Sequence, residues 1–328
     1  MKRVLVVFTG GTIGSESDEN TIKASKGTAK VLLSIYKESI GEDVGFTAIT
    51  PLNILSENLK PEDWATLIHS IEEANYRSFD GVIITHGTDT LAYSATLLAL
   101  YFHAIKIPML LVSSHLPLED KLSNGFVNFT AAVDFIKENI ASGLFVSYKN
   151  PSETFTSIFL GTRIAMSTQL SSHFESIDGI YAKYENNHFH GQTNIQIKES
   201  TFNLKASFTK NILYIKPYPG INYHHYNLDK VDAVLHDLYH SGTANFEILH
   251  DFIQECFEMN IPIFLAPLRK EQNVYESTAL LQQDQATFIY NISIEATLAK
   301  LYIAFGSFDT LEEIHSFLKT PLNNEFLE

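Results

Sequence analysis

Two short turns carry the residues best able to do chemistry. Thr9-Gly10-Gly11-Thr12-Ile13-Gly14 follows the apolar run Val4 to Phe8, and Thr85-His86-Gly87-Thr88-Asp89-Thr90 closes the run that starts at Gly81. A threonine hydroxyl is a weak nucleophile unless a neighbouring group assists it. The first turn by itself reads equally as an ordinary tight glycine turn. It is not a phosphate loop, being neither G-x-G-x-x-G nor followed by Gly-Lys-Ser/Thr. Asp89 by itself reads equally as the cap of a helix beginning near Leu91. Taken as a pair on adjacent strands, the turns supply a nucleophile, a second hydroxyl and a carboxylate to orient them.

Other reactive side chains form weaker patterns. His188/His190 and His224/His225 lie in polar stretches, without a carboxylate or third ligand at a metal-site spacing. No metal and no cofactor is expected. Cys256 is the single cysteine, so no intrachain disulfide is possible. It sits in the apolar helical pattern Phe252–Phe257 and reads as a small buried residue. His86 reads as a packed strand-end residue, and Tyr214, Tyr218 and Tyr223 as core or interface.

Short apolar runs alternating with helical patterns must hold these turns. Val4–Phe8, Gly81–Thr85, Met109–Val112 and Gly143–Tyr148 read as buried strands, Pro61–Ala74 and Leu91–Phe102 as helices. Pro61-Glu62-Asp63 suits a first helical turn, where the dipole favours acids. Such alternation predicts an α/β fold with a mostly parallel sheet and helices on both faces. Ligands then sit beyond the carboxyl ends of the strands, where both threonine turns lie. The expected organisation is an N-terminal catalytic domain over residues 1–185, a polar linker over 186–209 and a smaller C-terminal α/β domain over 210–328.

Composition narrows the function classes. The 328-residue chain suits two domains, and 45% hydrophobic residues are enough for packed cores. With 23 Lys and Arg against 38 Asp and Glu, the net charge of -15 repels phosphate backbones and argues against nucleic-acid binding. The apolar run near Met1 is too short for a signal peptide, and none reaches the ~18 residues of a membrane span. A cytoplasmic protein without membrane contact is expected.

These motifs together resemble the bacterial L-asparaginases, most closely the cytoplasmic type I form. Thr9–Gly14 and His86–Thr90 look like the two family signatures. Pro51-Leu52, Ser56 and Pro61–Trp64 fit the segment bearing a substrate-binding serine, and Ser123-Asn124-Gly125 with Asn128 resembles the Ser-Asp-Gly…Asn turn. Ile294–Leu298 with Lys300-Leu301 looks like the family's C-terminal helix. The resemblance is strong in the first half and patchy after about residue 185. It implies that Thr12 attacks a side-chain amide, most simply that of L-asparagine, forming an acyl-enzyme and releasing ammonia. Thr88 would align the second-step water. Asp89 and Ser56, with Glu57, would hold the substrate's α-ammonium and α-carboxylate, and Ser114 would lie near the scissile amide. Backbone N–H groups around Gly11-Thr12 and Gly87-Thr88-Asp89 would form the oxyanion hole. A homodimer or homotetramer acting on a small amino-acid amide is implied.

The sequence departs from the family at several positions. Met166 stands where the family has the lysine that completes a Thr-Lys-Asp triad; a thioether has neither proton nor charge, and losing a general base costs about 10²–10⁴ in rate. Thr21-Ile22 occupies the place of the lid tyrosine. Lys23 and Lys149 are the candidate substitute cations. Ser241-Gly242-Thr243 stands for the family's Gly-Asn element, and Arg269 and Asp237 replace the effector-site cysteine and arginine. A catalytically degenerate protein that binds a small amino acid as a sensor is therefore the alternative. An amidotransferase component that frees ammonia from glutamine shares the fold; the start at the first strand and the acidic charge set it behind.

Overall fold

The computed structural model describes residues 1–18, 21–24, 28–193, 202–270 and 273–327, without side chains for 14–18, 21–24 and 28–30. Two compact units result: Met1–Phe202 with Leu322–Asn324, and Asn203–Pro321 with Glu325–Glu328.

In the first unit the elements run β1 (Lys2–Phe8), β2 (Ser15–Asp18), β3 (Thr21–Ala24), α1 (Thr28–Ser39), β4 (Val44–Ile49), α2 (Pro61–Glu73), β5 (Gly81–Thr85), α3 (Leu91–Tyr101), β6 (Pro108–Val112), α4 (Gly125–Glu138), β7 (Gly143–Tyr148), β8 (Thr156–Leu160), β9 (Ala182–Glu185) and β10 (His188–His190). Eight strands form one sheet in the order β10-β9-β8-β7-β6-β5-β1-β4. The five strands from β7 to β4 in that order are mutually parallel, and β8, β9 and β10 extend the sheet antiparallel. Strands β5, β6 and β7 are buried at every residue, which is why they read as unbroken apolar runs rather than alternating ones. Val4, Val6, Ile83, Leu110 and Val112 share a core with Phe129, Val133 and Ile136 of α4. The alternate residues of each strand face the other side.

Chain order explains where a ligand would go. β1 lies between β4 and β5, so the connection leaving β1 goes to one side and the later strands build to the other. The order reverses between β1 and β5, and the carboxyl ends of those two strands bound the crevice of a doubly wound sheet.

The second unit is a four-stranded parallel sheet in simple sequence order. Its elements are β11 (Ile212–Ile215), β12 (Ala233–Asp237), α5 (Phe246–Glu258), β13 (Ile263–Leu268), α6 (Glu276–Leu281), β14 (Thr287–Tyr290), α7 (Ile294–Ser307) and α8 (Leu311–Lys319). Ile215, Val234, Leu265, Leu249 and Phe252 form its core, with Cys256 buried among them.

The polar stretch from residue 186 is not simply a linker. Asn186 and Asn187 both adopt left-handed backbone, with φ of 51° and 62°, between paired residues Glu185 and His188. That is a two-residue hairpin turn, for which Asn is well suited. The hairpin makes His188–His190 the edge strand of the first sheet. Residues 194–201 of the expected linker lie outside the described ones, and the two units divide after Phe202. Among the described residues no helix is long and apolar enough to cross a membrane, and no group of three or more His, Cys, Asp or Glu could hold a metal ion.

Candidate active site

The two threonine turns meet at the crevice between β1 and β5. Thr9 Oγ1 donates to Thr85 O at 2.6 Å, which ties the strand ends together. The loop after β4 joins them: Gly11 N donates to Ile54 O at 2.9 Å and Ile54 N to Thr9 O at 3.0 Å. Gly11 has φ of 73°, and a Cβ there would stand 2.3 Å from Gly87 N. A Cβ on Gly87 would stand 2.4 Å from Ser56 Oγ and 3.3 Å from Gly11 Cα. The backbones of Gly11 and Gly87 are therefore in van der Waals contact, with Ser56 against Gly87. A larger residue at Gly11 would strike the Gly87 backbone, and one at Gly87 the side chain of Ser56.

Thr12 follows Gly11 as the first residue of a 3₁₀ turn, Thr12–Gly14, and is half-buried. Thr88 follows Gly87 and is also half-buried. The glycine contact thus brings the chain to one place just before each hydroxyl-bearing residue.

Ser56 and Asp89 form a second part of the same cluster. Ser56 is buried; its Oγ accepts from Asp89 N at 3.2 Å and donates to Asp89 Oδ2 at 3.4 Å. Thr90 Oγ1 donates to Ser56 O at 3.0 Å. The carboxylate of Asp89 does not cap α3: the N-cap residue is Thr90, without a side-chain cap bond. Asp89 is exposed at the rim, as is Glu57.

His86 is buried behind this turn. Its N–H donates to Val112 O at 2.9 Å, and its Nδ1 lies 2.8 Å from Gly87 O. Burial lowers its pKa, opposed by the bond to Gly87 and the charge of Asp89.

Ser114, beyond β6, points into a polar knot. Its Oγ donates to Leu116 O at 2.5 Å and lies 2.9 Å from Ser123 Oγ and 3.1 Å from Asn124 Oδ1. Asn124 Nδ2 donates to Lys149 O at 2.7 Å, and Asn128 Oδ1 accepts from Lys149 N at 2.8 Å. The knot fixes the loops after β6 and β7 to the start of α4, with Ser114 bonded within it. Lys149 is half-buried.

Met166 sits on a two-stranded arch. Ala165 N donates to Glu175 O at 3.0 Å and Ile177 N to Arg163 O at 2.9 Å. The tip is held beside the end of β7, where Tyr148 donates to Ser172 O at 3.0 Å and Asn150 exchanges bonds of 3.0 and 2.8 Å with the Phe174 backbone. The arch is therefore fixed beside the carboxyl end of β7. The backbone of Thr21 and Lys23 belongs to β3, paired with β2, but their side chains lie outside those described. Sequence reasoning misses Ile54: it contributes only backbone atoms, which leave no residue-type signal.

Known proteins resemble this chain in sequence and in fold. Residues 3–196 match the family model described as asparaginase, N-terminal. A glutamyl-tRNA(Gln) amidotransferase subunit from Metallosphaera sedula is 28% identical over 99% of this chain and 76% of its own length. An L-asparaginase from Thermococcus kodakarensis is 31% identical over 67% of this chain and 65% of its own. Among solved structures, the thermostable L-asparaginase from Thermococcus kodakarensis superposes with a TM-score of 0.82 at 25% identity, covering 99% of both chains. L-asparaginase I from Vibrio cholerae shares the fold with a TM-score of 0.80 at 24% identity, over 100% of this chain and 99% of its own. The family match covers more than half of the sequence and includes both threonine turns, and the chain belongs to the asparaginase family.

Proposed function

We propose that this protein hydrolyses the side-chain amide of L-asparagine, releasing ammonia through an ester on Thr12. The observation that carries the reading is the contact of Gly11 with Gly87, which brings the Thr12 and Thr88 turns together at the switch point of the sheet. Thr12 Oγ1 attacks the amide carbon, and backbone N–H groups of the two turns stabilise the oxyanion. Collapse expels ammonia. A water aligned by Thr88 then opens the ester to give L-aspartate. Ser56 and Asp89, already bonded to each other, grip the α-ammonium and α-carboxylate with Glu57 beside them. A cytoplasmic homo-oligomer without metal or cofactor belongs to the same proposal; a structural neighbour from Campylobacter jejuni is named a probable cytoplasmic L-asparaginase.

A second reading is favoured by the amidotransferase relative, which aligns with 99% of this chain. On that reading the substrate is glutamine and the ammonia serves an amidotransferase. Ammonia release from L-asparagine and L-glutamine, beside calorimetric binding of L-aspartate, separates the cases. Faster asparagine turnover that falls at least about 10³-fold in Thr12→Ala supports the first reading. Glutamine preference supports the second. L-Aspartate binding without ammonia, unchanged in Thr12→Ala, replaces both with a sensor.

A further inference from the structure

The geometry points to His86 as a positioning residue: its ring holds the Gly87–Thr88 peptide so that the Thr88 N–H is presented to the reacting carbonyl. The inference rests on the amidohydrolase reading above and adds a residue to it.

Gly87 O is a carbonyl and can only accept, so the 2.8 Å contact requires the proton on Nδ1 of His86. The ring is then the Nδ1–H tautomer, with a lone pair on Nε2. Among the described residues that second nitrogen is buried without a partner. A proton there would be a buried charge without an acceptor, so the neutral ring is the stable form. The register pairs Thr85 with Val112, the residues just before His86 and Ser113. Among the described residues Ser113 Oγ is buried without a partner as well, and no bond links it to the ring.

The tether matters because of where Gly87 stands. In a trans peptide the C=O and the following N–H point in opposite directions. Fixing Gly87 O toward the imidazole therefore aims the Thr88 N–H away from it. Glycine tolerates either orientation of that peptide, so no side chain of its own prevents a flip. The space around Gly87 is closed by Gly11 and Ser56, which forbids a β-carbon but not a rotation of the peptide plane. The Nδ1–H bond supplies what the glycine lacks. An oxyanion donor must be in place before charge develops, and one such donor is worth about 10²–10³ in kcat.

Three variants test this. Asparagine can put an amide N–H where Nδ1–H stands; glutamine reaches only the Nε2 position; leucine supplies neither. His86→Leu and His86→Gln should lose about 10²-fold in kcat with KM within about threefold of the parent, while His86→Asn recovers most of the rate. Equal kcat in all three, or a loss confined to KM, overturns the inference. Should His86→Leu fail to fold, His86→Gln against His86→Asn decides. The ring nitrogens of the unmodified protein give a readout independent of turnover: ¹⁵N shifts should report a proton on Nδ1, and a proton on Nε2 instead refutes the tether. An unmodified protein that releases no ammonia but shows the Nδ1–H tautomer would sink the amidohydrolase reading and leave the tether standing.

Discussion

At the scale of single residues, the site is defined by what its atoms can and cannot do. On the proposed reading, Thr12, Thr88, Ser56 and Asp89 carry the hydroxyls and carboxylate for amide hydrolysis. Met166 does not retain an ammonium, and its side chain offers no proton to Thr88. On the proposed reading a lysine at position 166 serves Thr88 as a base, and Met166→Lys supplies it. The expected outcome is a rise in kcat of about 10²-fold for ammonia release, read by single-turnover kinetics. No rise would mean that position 166 does not reach Thr88, and that Lys149 or another group has taken the role. The residues of both turns are legible in the sequence only as a pair, because each turn by itself reads equally as a tight turn or a helix cap. The bond between Ser56 and Asp89 is not, since 33 positions separate the partners and only the passage of the β4 loop past the end of β1 to the turn after β5 brings them together.

Elements set the pH limits. His236 lies within β12, fully buried, with Nε2 2.7 Å from the Tyr223 hydroxyl. Burial holds its pKa down at about 4, against an ordinary 6.5, while a backbone bond to Asp237 opposes the shift. The folded chain thus keeps the neutral ring while the unfolded chain takes up a proton. Stability from this group is complete above about pH 6.5 and is lost as the pH falls toward 4, by on the order of 3 kcal/mol. The urea midpoint of the second unit should fall across that window, and His236→Gln should flatten the dependence. A flat profile in the parent would show that the ring is not desolvated. Apolar run length reveals β12, but whether its histidine is covered depends on Tyr223, Phe252 and the rest of α5. The hairpin at Asn186-Asn187 shows the opposite case. Its turn residues are local and readable, yet their polarity matches that of a linker, and the partner strand is too short to correct the impression.

Over the whole molecule, the chain's end is held by an ion pair that no local pattern announces. Lys300 on α7 donates to Glu325 at 2.7 Å and to Thr320 O at 2.6 Å, with both charged side chains fully buried. Burial pushes the Lys300 pKa down, and the Glu325 carboxylate opposes it. Removing one partner leaves the other charge stranded, so Lys300→Met should cost about 3–5 kcal/mol by urea denaturation. The double variant Lys300→Met with Glu325→Leu should recover most of that loss. Equal losses in the single and double variants would show that the cost is packing rather than charge. In the first unit, residues just before Glu325 make their own bonds: Thr162 donates to Asn323 O at 2.8 Å, and Asn323 Nδ2 donates to Ala99 O at 2.9 Å.

By itself the sequence determined the α/β class, the positions of the buried parallel strands and the family. These depend on local apolar runs and on motifs whose residues lie close together in the chain. Only the tertiary structure decided that β1 and β5 are neighbours at the switch point, that Gly11 touches Gly87, and that His86 bonds the peptide ahead of Thr88. Those facts follow from strand order and from backbone atoms meeting across distant segments. Residue types do not encode such contacts; they arise when the sheet closes its hydrogen bonds and the helices cover its faces.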